Sequence, residues 1–596
     1  MALTKVTGGL LGNLPTGTGN VAVGDTALDS IASGATGNVA IGSAAGTALT
    51  TGDGNVAVGF EALKTEDANG ESTAVGYQAL KTQNAGDQGF NTAVGYQAGT
   101  AVTTGVKNTL LGARTGVALT TGSENTVVGR DALFTDTLGS KSVAIGQDTL
   151  ASQNFTTATD TYNTAVGYAA GLSVTTGVQN TIVGGLAGDA LTDADFNVAL
   201  GYATLSTDTL GSKSTAVGYR ALTTQNFTTA TDAFNTAVGT FAGFAVTTGA
   251  FNTLIGGIAA DALTTGQENV ALGYFALSSD TKGNHSVALG KDALATQNFT
   301  TSTDTHNTAV GHSAGVAVTT GVGNTFLGSL AGTSSTGSGV DNNTFIGFQA
   351  GRYVTSGEKN TILGRYDGNQ GGLDIRILNN NIILSDGDGN GRFRANGSGQ
   401  VVVGDSIASF GGGGYTNTAF TVNQDSNDYI TALRVNTGTA GSAYGLFIDY
   451  TSVAPNNSQN NFITVRDTGG IRFLVKSNGG INNYQANDAN LSDERVKKDI
   501  SLLGSMWDKF KAIEIVNFKY KDQTHENFNI GVIAQQVESV APEFIDNSGF
   551  GETTEGEDPL KAVFTADLYH AAIKALQEAM TRIETLEAEV TALKEG

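Results

Sequence analysis

The stretch "NTAVGYQAG", residues 91–99, recurs in variant form along most of this chain of 596 residues. Its pattern is Asn or Ser, then Thr or Val, any residue, an aliphatic residue and Gly, and the usual period is 17, as from Asn91 to Asn108. Such a fixed period indicates an array of stacked units rather than a series of globular domains. The 20 copies begin at Asn20, Asn38, Asn55, Ser72, Asn91, Asn108, Asn125, Ser142, Asn163, Asn180, Asn197, Ser214, Asn235, Asn252, Asn269, Ser286, Asn307, Asn324, Asn343 and Asn360.

A longer period of 72 is superimposed on the first, and it consists of three steps of 17 and one of 21. The long step carries nearly the same insertion each time, which indicates that a block of four repeats was duplicated as a unit. The insertions are "QNFTTATDTYN" at 153–163, "QNFTTATDAFN" at 225–235 and "QNFTTSTDTHN" at 297–307.

The repeat predicts one coil of a β-solenoid, because its strand-like cores are short and Gly recurs too often for a helical hairpin. We expect Gly to permit the corner of each coil and the Asn side chain to hydrogen-bond to its copies above and below. No proline lies between Pro15 and Pro455, as backbone pairing from coil to coil requires. We also expect the aliphatic position to point inward. Examples of this position are Val94, Leu111, Val128 and Ile145.

Tyrosine follows the motif Gly in several copies, and two interpretations of this column are open. The rings could form a ladder on which glycans stack, or they could simply stack on one another along an exposed face. The residues concerned are Tyr77, Tyr96, Tyr168, Tyr219 and Tyr274.

Composition excludes several classes of site. A net charge of -23 argues against a nucleic-acid partner. The absence of cysteine excludes disulfides, thiolate metal sites and Cys nucleophiles. The five histidines show no metal-ligand spacing along the chain, so we predict no metal and no cofactor. No apolar stretch of signal-peptide or membrane-span length occurs, so neither export by a signal peptide nor membrane insertion is expected.

The repeat stops near Tyr366, and residues 373–405 show alternating apolar residues separated by Asp-Gly and Asn-Gly turns. This pattern predicts β-hairpins. We therefore expect residues 365–491 to form a β-rich shaft or receptor-proximal domain.

The composition changes abruptly at Ser492. From there to the last residue, charged side chains occupy 31 of 105 positions, against 56 of 491 before it, which marks a domain boundary. Residues 506–522 predict a short amphipathic segment and a strand, and residues 529–544 predict a strand followed by a helix ending near Pro542.

The chain then finishes in a long predicted helix with apolar residues at alternating spacings of three and four. That seam is typical of a coiled coil, although a helix packed on its own domain would also explain it. Its residues are Tyr569, Ala572, Leu576, Ala579, Ile583, Leu586, Val590 and Leu593.

The repeats over residues 20–364 resemble the head repeats of trimeric autotransporter adhesins, which are β-rolls that trimerise side by side. They resemble still more closely the "NTAVGYQAG" and "TTG" repeats of phage tail fibres, since adhesin heads have shorter coils. This resemblance implies a homotrimer and hence three strands in the terminal coiled coil.

The segments "LSDERVKKDI" at 491–500, "IEIVNFKYK" at 513–521 and "GVIAQQVESVAPE" at 531–543, followed by the heptad helix, resemble the C-terminal intramolecular chaperone domain of phage endosialidases and related fibres. That family helps a trimeric β-structure to fold and then cuts itself off.

The resemblance implies that Ser492 is the nucleophile, that Lys497 is its base and that the bond between Leu491 and Ser492 is cut. Ser492 as the N-cap of a polar helix is the alternative. A spacing of five is not a same-face helical spacing, so we expect Ser492 in a turn ahead of the helix that holds Lys497. Many relatives carry His near the position of Asn529, and if that His assists cleavage, processing in this chain would be slow or absent.

These observations predict a mainly β chain with β-roll or β-solenoid repeats, a β-rich shaft and a small α+β chaperone domain ending in a coiled-coil helix. The expected domains are a virion-attachment segment (1–19), the repeat array (20–364), the shaft (365–491) and the auto-processing domain (492–596). The predicted function is a homotrimeric phage tail fibre for host recognition, located in the virion and synthesised in the host cytoplasm.

Its expected partners are copies of itself, a host surface glycan or outer-membrane component, and a virion tail or baseplate protein. We expect one self-cleavage per chain by a Ser-Lys dyad and no activity on an external substrate. The alternatives are a bacterial trimeric adhesin, which should have a signal peptide and a membrane anchor, and a glycan-degrading tailspike. A tailspike should present paired acids, whereas Asp131, Asp189, Asp195 and Asp261 are scattered.

Overall fold

The computed structural model describes residues 17–68, 70–86, 88–337, 339–404, 420–423, 461–467, 470–476, 481–483, 494–521, 526–547, 558 and 560–596. The chain divides into two compact units, Met1–Ala432 and Leu433–Gly596. The predicted virion-attachment segment, 1–19, lies mostly outside the described residues. Among the described helices, none combines the length and the apolar character needed to cross a bilayer.

The first unit is a β-solenoid in which each motif forms one strand, and each strand pairs in parallel with its copy in the next coil. The pairing keeps the motif in register even across the long steps, as when Thr164 of one coil lies beside Val143 of the coil before. The predicted fold class, mainly β with solenoid repeats, is therefore confirmed.

Within the described residues the stack contains 21 strands, one more than the number of motifs. The additional strand, Ile382–Ser385, pairs in parallel with Thr361–Leu363. The strands are Val21–Val23, Val39–Ile41, Val56–Val58, Thr73–Val75, Thr92–Val94, Thr109–Leu111, Thr126–Val128, Val143–Ile145, Thr164–Val166, Thr181–Val183, Val198–Leu200, Thr215–Val217, Thr236–Val238, Thr253–Ile255, Val270–Leu272, Val287–Leu289, Thr308–Val310, Thr325–Leu327, Thr344–Ile346, Thr361–Leu363 and Ile382–Ser385.

The predicted inward direction of the aliphatic position is wrong. Val94 and Ile145 are 37% and 36% exposed, and Leu111 and Val128 are only half-buried. The core is formed instead by the residue before each of them. The first, third and fifth residues of a strand share a face, so a buried Asn places the third motif residue inside and the fourth outside. The buried residues next to these four are Ala93, Leu110, Val127 and Ala144.

The predicted asparagine ladder is present. Asn180 donates from Nδ2 to the carbonyl oxygen of Ala194 (2.8 Å), and its Oδ1 accepts the backbone N–H of Asn197 (2.9 Å) in the next coil. The same pattern recurs along the array, and these Asn side chains are buried. Each amide therefore satisfies backbone groups that would otherwise be unpaired inside the solenoid.

The backbone is left-handed at several positions in each coil, and two of these positions lie close to the two ends of the strand. The motif Gly occupies one: at Gly76, with φ of 142°, an added Cβ would lie 2.1 Å from the carbonyl oxygen of Gly95 in the next coil, so only Gly fits. The residue immediately before each motif occupies the other, and we call these residues the corner column. Its non-glycine members, from Glu71 to Asn380, have φ values between 48° and 65° whatever their side chain.

Four coils, each four apart, carry Ser in place of Asn, and a buried glutamine compensates for the lost amide. Gln225 Nε2 donates to Ser214 Oγ (3.1 Å) and to Asp208 Oδ2 (2.5 Å), while its Oε1 accepts a hydrogen bond from Asn235 Nδ2 (2.9 Å). Burial raises the pKa of Asp208, although hydrogen bonds from Gln225 and from backbone N–H groups act in the opposite direction. Equivalent units contain Gln83, Gln153 and Gln297.

The long steps add a second, shorter ladder at the same level. In each, a two-residue strand pairs in parallel with another in the inserted segment. The pairs are Gly139–Ser140 with Thr159–Asp160, Gly211–Ser212 with Thr231–Asp232, and Gly283–Asn284 with Thr303–Asp304.

The predicted hairpins follow the last coil. Gly391–Ala395 pairs antiparallel with Ile382–Ser385 and with Val401–Gly404, and Val401–Gly404 pairs in parallel with Phe420–Asn423. A short antiparallel pair, Asn369–Gln370 and Leu373–Asp374, precedes them.

The second unit begins, within the described residues, with an antiparallel sheet of Asn461–Asp467, Gly470–Lys476 and Ile481–Asn483. A 3₁₀ helix, Glu494–Val496, precedes helix α1, Trp507–Ala512. Helix α2, Ala534–Val540, continues into a second 3₁₀ helix, Pro542–Phe544, and helix α3 spans Thr565–Glu595. Two antiparallel pairs complete it, Val516–Phe518 with Asn529–Gly531, and Ile545–Asp546 with Ala562–Val563.

Candidate functional site

The candidate cleavage site is only partly visible. Leu491 and Ser492 lie outside the described residues. Lys497 immediately follows the 3₁₀ helix Glu494–Val496, and its backbone N–H donates to the carbonyl oxygen of Glu494 (3.1 Å). Lys497 therefore ends a 3₁₀ turn, and the expectation that a helix would hold it is wrong.

The side chain of Lys497 is exposed in the single chain, and so are the neighbouring cations Arg495 and Lys498. A lysine amine can accept a proton from serine only when it is neutral, which requires desolvation or a nearby cation. The described part of one chain supplies adjacent cations but does not bury the amine. The pairing of Ser492 with Lys497 remains a prediction.

The domain that follows has a small core of its own. Met506, Val537, Phe544, Ile545 and Ala571 are buried together, so α1, α2, the second 3₁₀ helix and α3 pack against one another. This packing, which extends along α3 to Ala575, fixes the position of the first three turns of α3 relative to the helices before it.

Helix α1 begins against a carboxylate supplied by α3. Glu578 accepts hydrogen bonds from Ser505 Oγ (2.8 Å) and from the backbone N–H groups of Met506 (3.2 Å) and Trp507 (3.0 Å). Desolvation acts to raise the pKa of Glu578, but these hydrogen bonds outweigh it and lower the pKa. Arg582, one turn later, lies with its guanidinium carbon 4.3 Å from the centre of the Trp507 ring. The side chain of Glu578 thus provides the N-terminal cap that α1 lacks.

The heptad seam of α3 does not pack on its own domain. Leu568, Ala571 and Ala575 face the small core, whereas the larger seam residues are exposed. Leu576 is 60% exposed and Leu586 is 58% exposed, and the helix continues for about two turns beyond them. The other exposed large seam residues are Tyr569, Ile583, Val590 and Leu593. The alternative of a helix packed wholly on its own domain therefore does not account for the seam.

Two columns of exposed or half-buried side chains run along the solenoid. The fourth motif residues form the first, which we call the aliphatic row: one Val, Ile or Leu per coil, none of them buried in the described residues. The second is the predicted tyrosine column, in which the ring centres of Phe60 and Tyr77 are 5.3 Å apart and those of Tyr77 and Tyr96 are 5.2 Å apart. Tyr219 also stacks on Tyr202, whereas Tyr274 meets Phe275 edge to face, so the exposed rings form short stacks and both interpretations stay open.

The scattered acids do not form a glycosidase pair. Asp131 forms ion pairs with Arg114 (2.6 Å) and Arg130 (3.3 Å). Asp189 and Asp261 occupy equivalent places four coils apart, which corresponds to about 19 Å at ~4.8 Å per coil. Paired catalytic carboxylates are roughly 5–10 Å apart.

The structure also brings together residues that the spacing of histidines along the chain did not indicate. His285, Asp304 and His306 each offer a ligand atom, and these atoms lie within 4.8 Å of one another. The sequence feature that could have revealed this cluster is the long step of the repeat, because it places His306 directly above His285 in the corner column.

Residues 492–546 match the family model described as chaperone of endosialidase. No curated protein and no solved structure is significantly similar to the chain. The match includes the 3₁₀ helix Glu494–Val496, Lys497, α1 and α2, and it stops before α3. The chain therefore carries, after a long β-solenoid, the chaperone domain of the endosialidase type.

Proposed function

We propose that the protein is a homotrimeric phage tail fibre that recognises and adsorbs to the host cell. Its C-terminal domain directs trimerisation and folding and is then released by cleavage between Leu491 and Ser492. The observation that carries this proposal is the combination, in one domain, of the chaperone match over 492–546 with the exposed heptad seam of α3.

The exposed seam supports association through α3. Six large apolar side chains along one face of a helix are stable in water only when another surface covers them. Identical helices from two other chains offer matching seams, and a closed ring of identical subunits leaves none of them uncovered.

The aliphatic row supports lateral contact between solenoids of the same three chains. It is continuous over the described coils and regular in spacing, so a second copy in the same register presents an equivalent row at every level. A chain that paired one coil out of register would still bury most of its row. Association at the C-terminal helix removes this ambiguity, because it sets the register before the solenoids meet.

Cleavage follows from ordinary acyl chemistry. Neutral Lys497 accepts the hydroxyl proton of Ser492 while Ser492 Oγ attacks the carbonyl carbon of Leu491. The C–N bond breaks, the α-amino group of Ser492 takes a proton, and an ester joins Leu491 to Ser492 Oγ. Water then hydrolyses the ester and leaves a free carboxylate on Leu491 and the restored hydroxyl. The peptide bond before Ser492 is consumed in the reaction, so each chain reacts once.

The exposure of Lys497 in the single chain supports an order of events. If neighbouring chains bury the lysine amine, the base becomes competent only after the trimer has formed. Cleavage would then remove the chaperone from correctly assembled fibres, and the released product would be kinetically trapped. The remaining partners we propose are a host surface glycan or outer-membrane component, with the tyrosine column as one candidate surface, and a tail or baseplate protein of the virion.

The first prediction tests the dyad. We expect the expressed full chain to yield one product that ends at Leu491 and one fragment that begins at Ser492, as measured by intact mass and N-terminal sequencing. Ser492→Ala and Lys497→Ala should each remain uncut, because one removes the nucleophile and the other the base.

Lys511→Ala is the matched control, since it removes an exposed lysine of the same domain that is not adjacent to Lys497, and it should be processed. Cleavage that continues in both Ser492→Ala and Lys497→Ala would contradict the dyad.

A further inference from the structure

The third long step of the solenoid differs chemically from the first two at several aligned positions, among them His285 and His306. In the first two steps a lysine occupies the corner column, and its Nζ donates to an aspartate of the insertion. The pairs are Lys141 with Asp160 (2.5 Å) and Lys213 with Asp232 (2.5 Å). The same ammonium groups lie 5.1 Å from the ring centres of Tyr162 and Phe234. A cation tethered to the chain thus sits between a carboxylate and an aromatic ring.

In the third step the aspartate is retained as Asp304, but both of its neighbours are histidines. His285 replaces the lysine and His306 replaces the aromatic residue. Their rings are nearly parallel, with centres 5.1 Å apart. Among the described residues, Asp304 forms no ion pair with a lysine or arginine. The lysine of the corner column is therefore missing from this step, while two imidazoles have been added; Lys282 of this step stands where the other two carry leucine.

His285 is oriented as a metal ligand would be. Its Nε2 lies 3.3 Å from Glu268 Oε2, and its Nδ1 lies 3.3 Å from Asp304 Oδ1. Nδ1 is buried and has no hydrogen-bond partner. When Glu268 accepts the Nε2 proton, the lone pair of Nδ1 faces Asp304. A carboxylate that orients a ligating histidine through its other nitrogen is the usual second shell of a metal site.

The distances fit a small divalent cation. Two ligands of one tetrahedral ion with bonds of roughly 2.0–2.1 Å are themselves about 3.3 Å apart, the separation of His285 Nδ1 and Asp304 Oδ1. His306 is exposed and needs only a side-chain adjustment to reach the same ion. Asn284, a serine in the other two steps, donates from Nδ2 to Asp304 Oδ1 (3.0 Å) and so holds the carboxylate in place.

We propose that His285, Asp304 and His306 form a binding site for a divalent transition-metal ion, best suited to Zn²⁺, with water completing the coordination. Two imidazoles and one carboxylate favour zinc over Mg²⁺ or Ca²⁺, which prefer oxygen ligands only. The ion would join two successive coils at the insertion and would stabilise the solenoid there, because it binds only when both coils are in register.

The test uses the full chain without a histidine tag, titrated with zinc sulfate by isothermal calorimetry. We expect one ion per chain and a zinc-dependent rise in the thermal unfolding midpoint. The double substitution His285→Lys with His306→Phe recreates the arrangement of Lys213 and Phe234 and should abolish both effects. Both positions accept those residues at the same left-handed φ in the second step, so the variant should fold. Its circular dichroism should match that of the parent.

Three further measurements sharpen the result. His312→Ser removes a histidine outside the cluster and should leave zinc binding unchanged. Glu268→Gln should weaken binding roughly tenfold or more by loosening the orientation of His285. Co²⁺ should give the visible absorption of a tetrahedral site in the parent chain and not in the double variant. Absence of zinc binding, or equal binding by parent and double variant, would overturn the proposal and leave the cluster as an ion pair.

Discussion

The solenoid and the C-terminal domain both carry periodic apolar residues. In the solenoid the residues that form the core are buried within one chain, whereas in the C-terminal helix the seam residues are exposed. In the solenoid, the periodic residues that form the core, such as Ala93 and Leu110, are buried against their copies within one chain. In α3, the residues of the heptad seam, such as Leu576 and Leu586, are exposed. Periodicity alone thus identifies an apolar surface that must be covered. Whether one chain buries that surface then shows whether a partner is needed.

The largest expected effect comes from charge on the exposed seam. Ile583→Glu with Leu586→Glu places two carboxylates per chain where three helices should meet, and burying unpaired like charges is strongly unfavourable. We expect loss of the trimer and aggregation of the solenoid, measured by size-exclusion chromatography with light scattering.

Thr581→Glu with Thr585→Glu adds the same charge at two neighbouring exposed positions outside the seam and should leave the trimer intact. If the variant charged at Ile583 and Leu586 also remains trimeric, α3 is not the site of association.

An intermediate effect is expected from a buried polar group of the solenoid. Gln225→Ala leaves Ser214, Asp208 and Asn235 each without a partner that Gln225 now provides. Each buried group left unsatisfied costs about 1–3 kcal/mol. We expect a lower thermal unfolding midpoint with the trimer retained.

Gln267→Ala removes the same side chain from an exposed position and should shift the midpoint little. Equal midpoints for the two variants would show that the Ser, Gln and Asp unit does not stabilise the coil.

The smallest effect is expected from the largest deletion. Removal of residues 163–234, which form one complete block of four coils, joins Tyr162 to Asn235 in the same phase of the repeat. Thr236 should then pair with Val143, as Thr164 does now. We expect normal trimerisation and processing, and a stack shorter by about 19 Å in electron micrographs, at ~4.8 Å per coil.

The matched controls are deletions of 163–230 and of 163–238, which start at the same residue but end out of phase. Each displaces the corner Gly and the ladder Asn from their places in the next coil, and each should misfold. The interpretation of one motif per coil would be wrong if an out-of-phase deletion folded and the in-phase one did not.

Much of the solenoid could be predicted because its contacts repeat with the chain itself. The period, the Gly corner and the Asn ladder each follow from one motif, as Asn180 and Gly76 illustrate. The inward face was assigned wrongly, because the fourth motif residue is always Val, Ile or Leu, whereas the third, which forms the core, is only Ala in many coils. Ala93 is buried and Val94 is not.

The candidate sites were less predictable because their geometry depends on neighbours that the linear spacing does not show. His285 and His306 are separated by a full long step of the sequence, yet their rings stack because they occupy the same place in successive coils. Lys497 lies close to Ser492 in sequence, but its environment depends on what covers an exposed lysine. The pattern of one chain does not contain that information.

The corner column gives the solenoid an unusual freedom to change its chemistry. Its backbone is left-handed whether the residue is Phe234, Glu268, His285 or Asn380, so the side chain can be exchanged without repacking the core. Neighbouring positions are held one coil apart, and any two residue types can be made to face each other by choosing adjacent members. The column is therefore a row of surface positions at which the residue type can change while the backbone conformation stays the same. Duplication of a block adds four such positions, and later substitutions can diversify the surface while the fold beneath it stays constant.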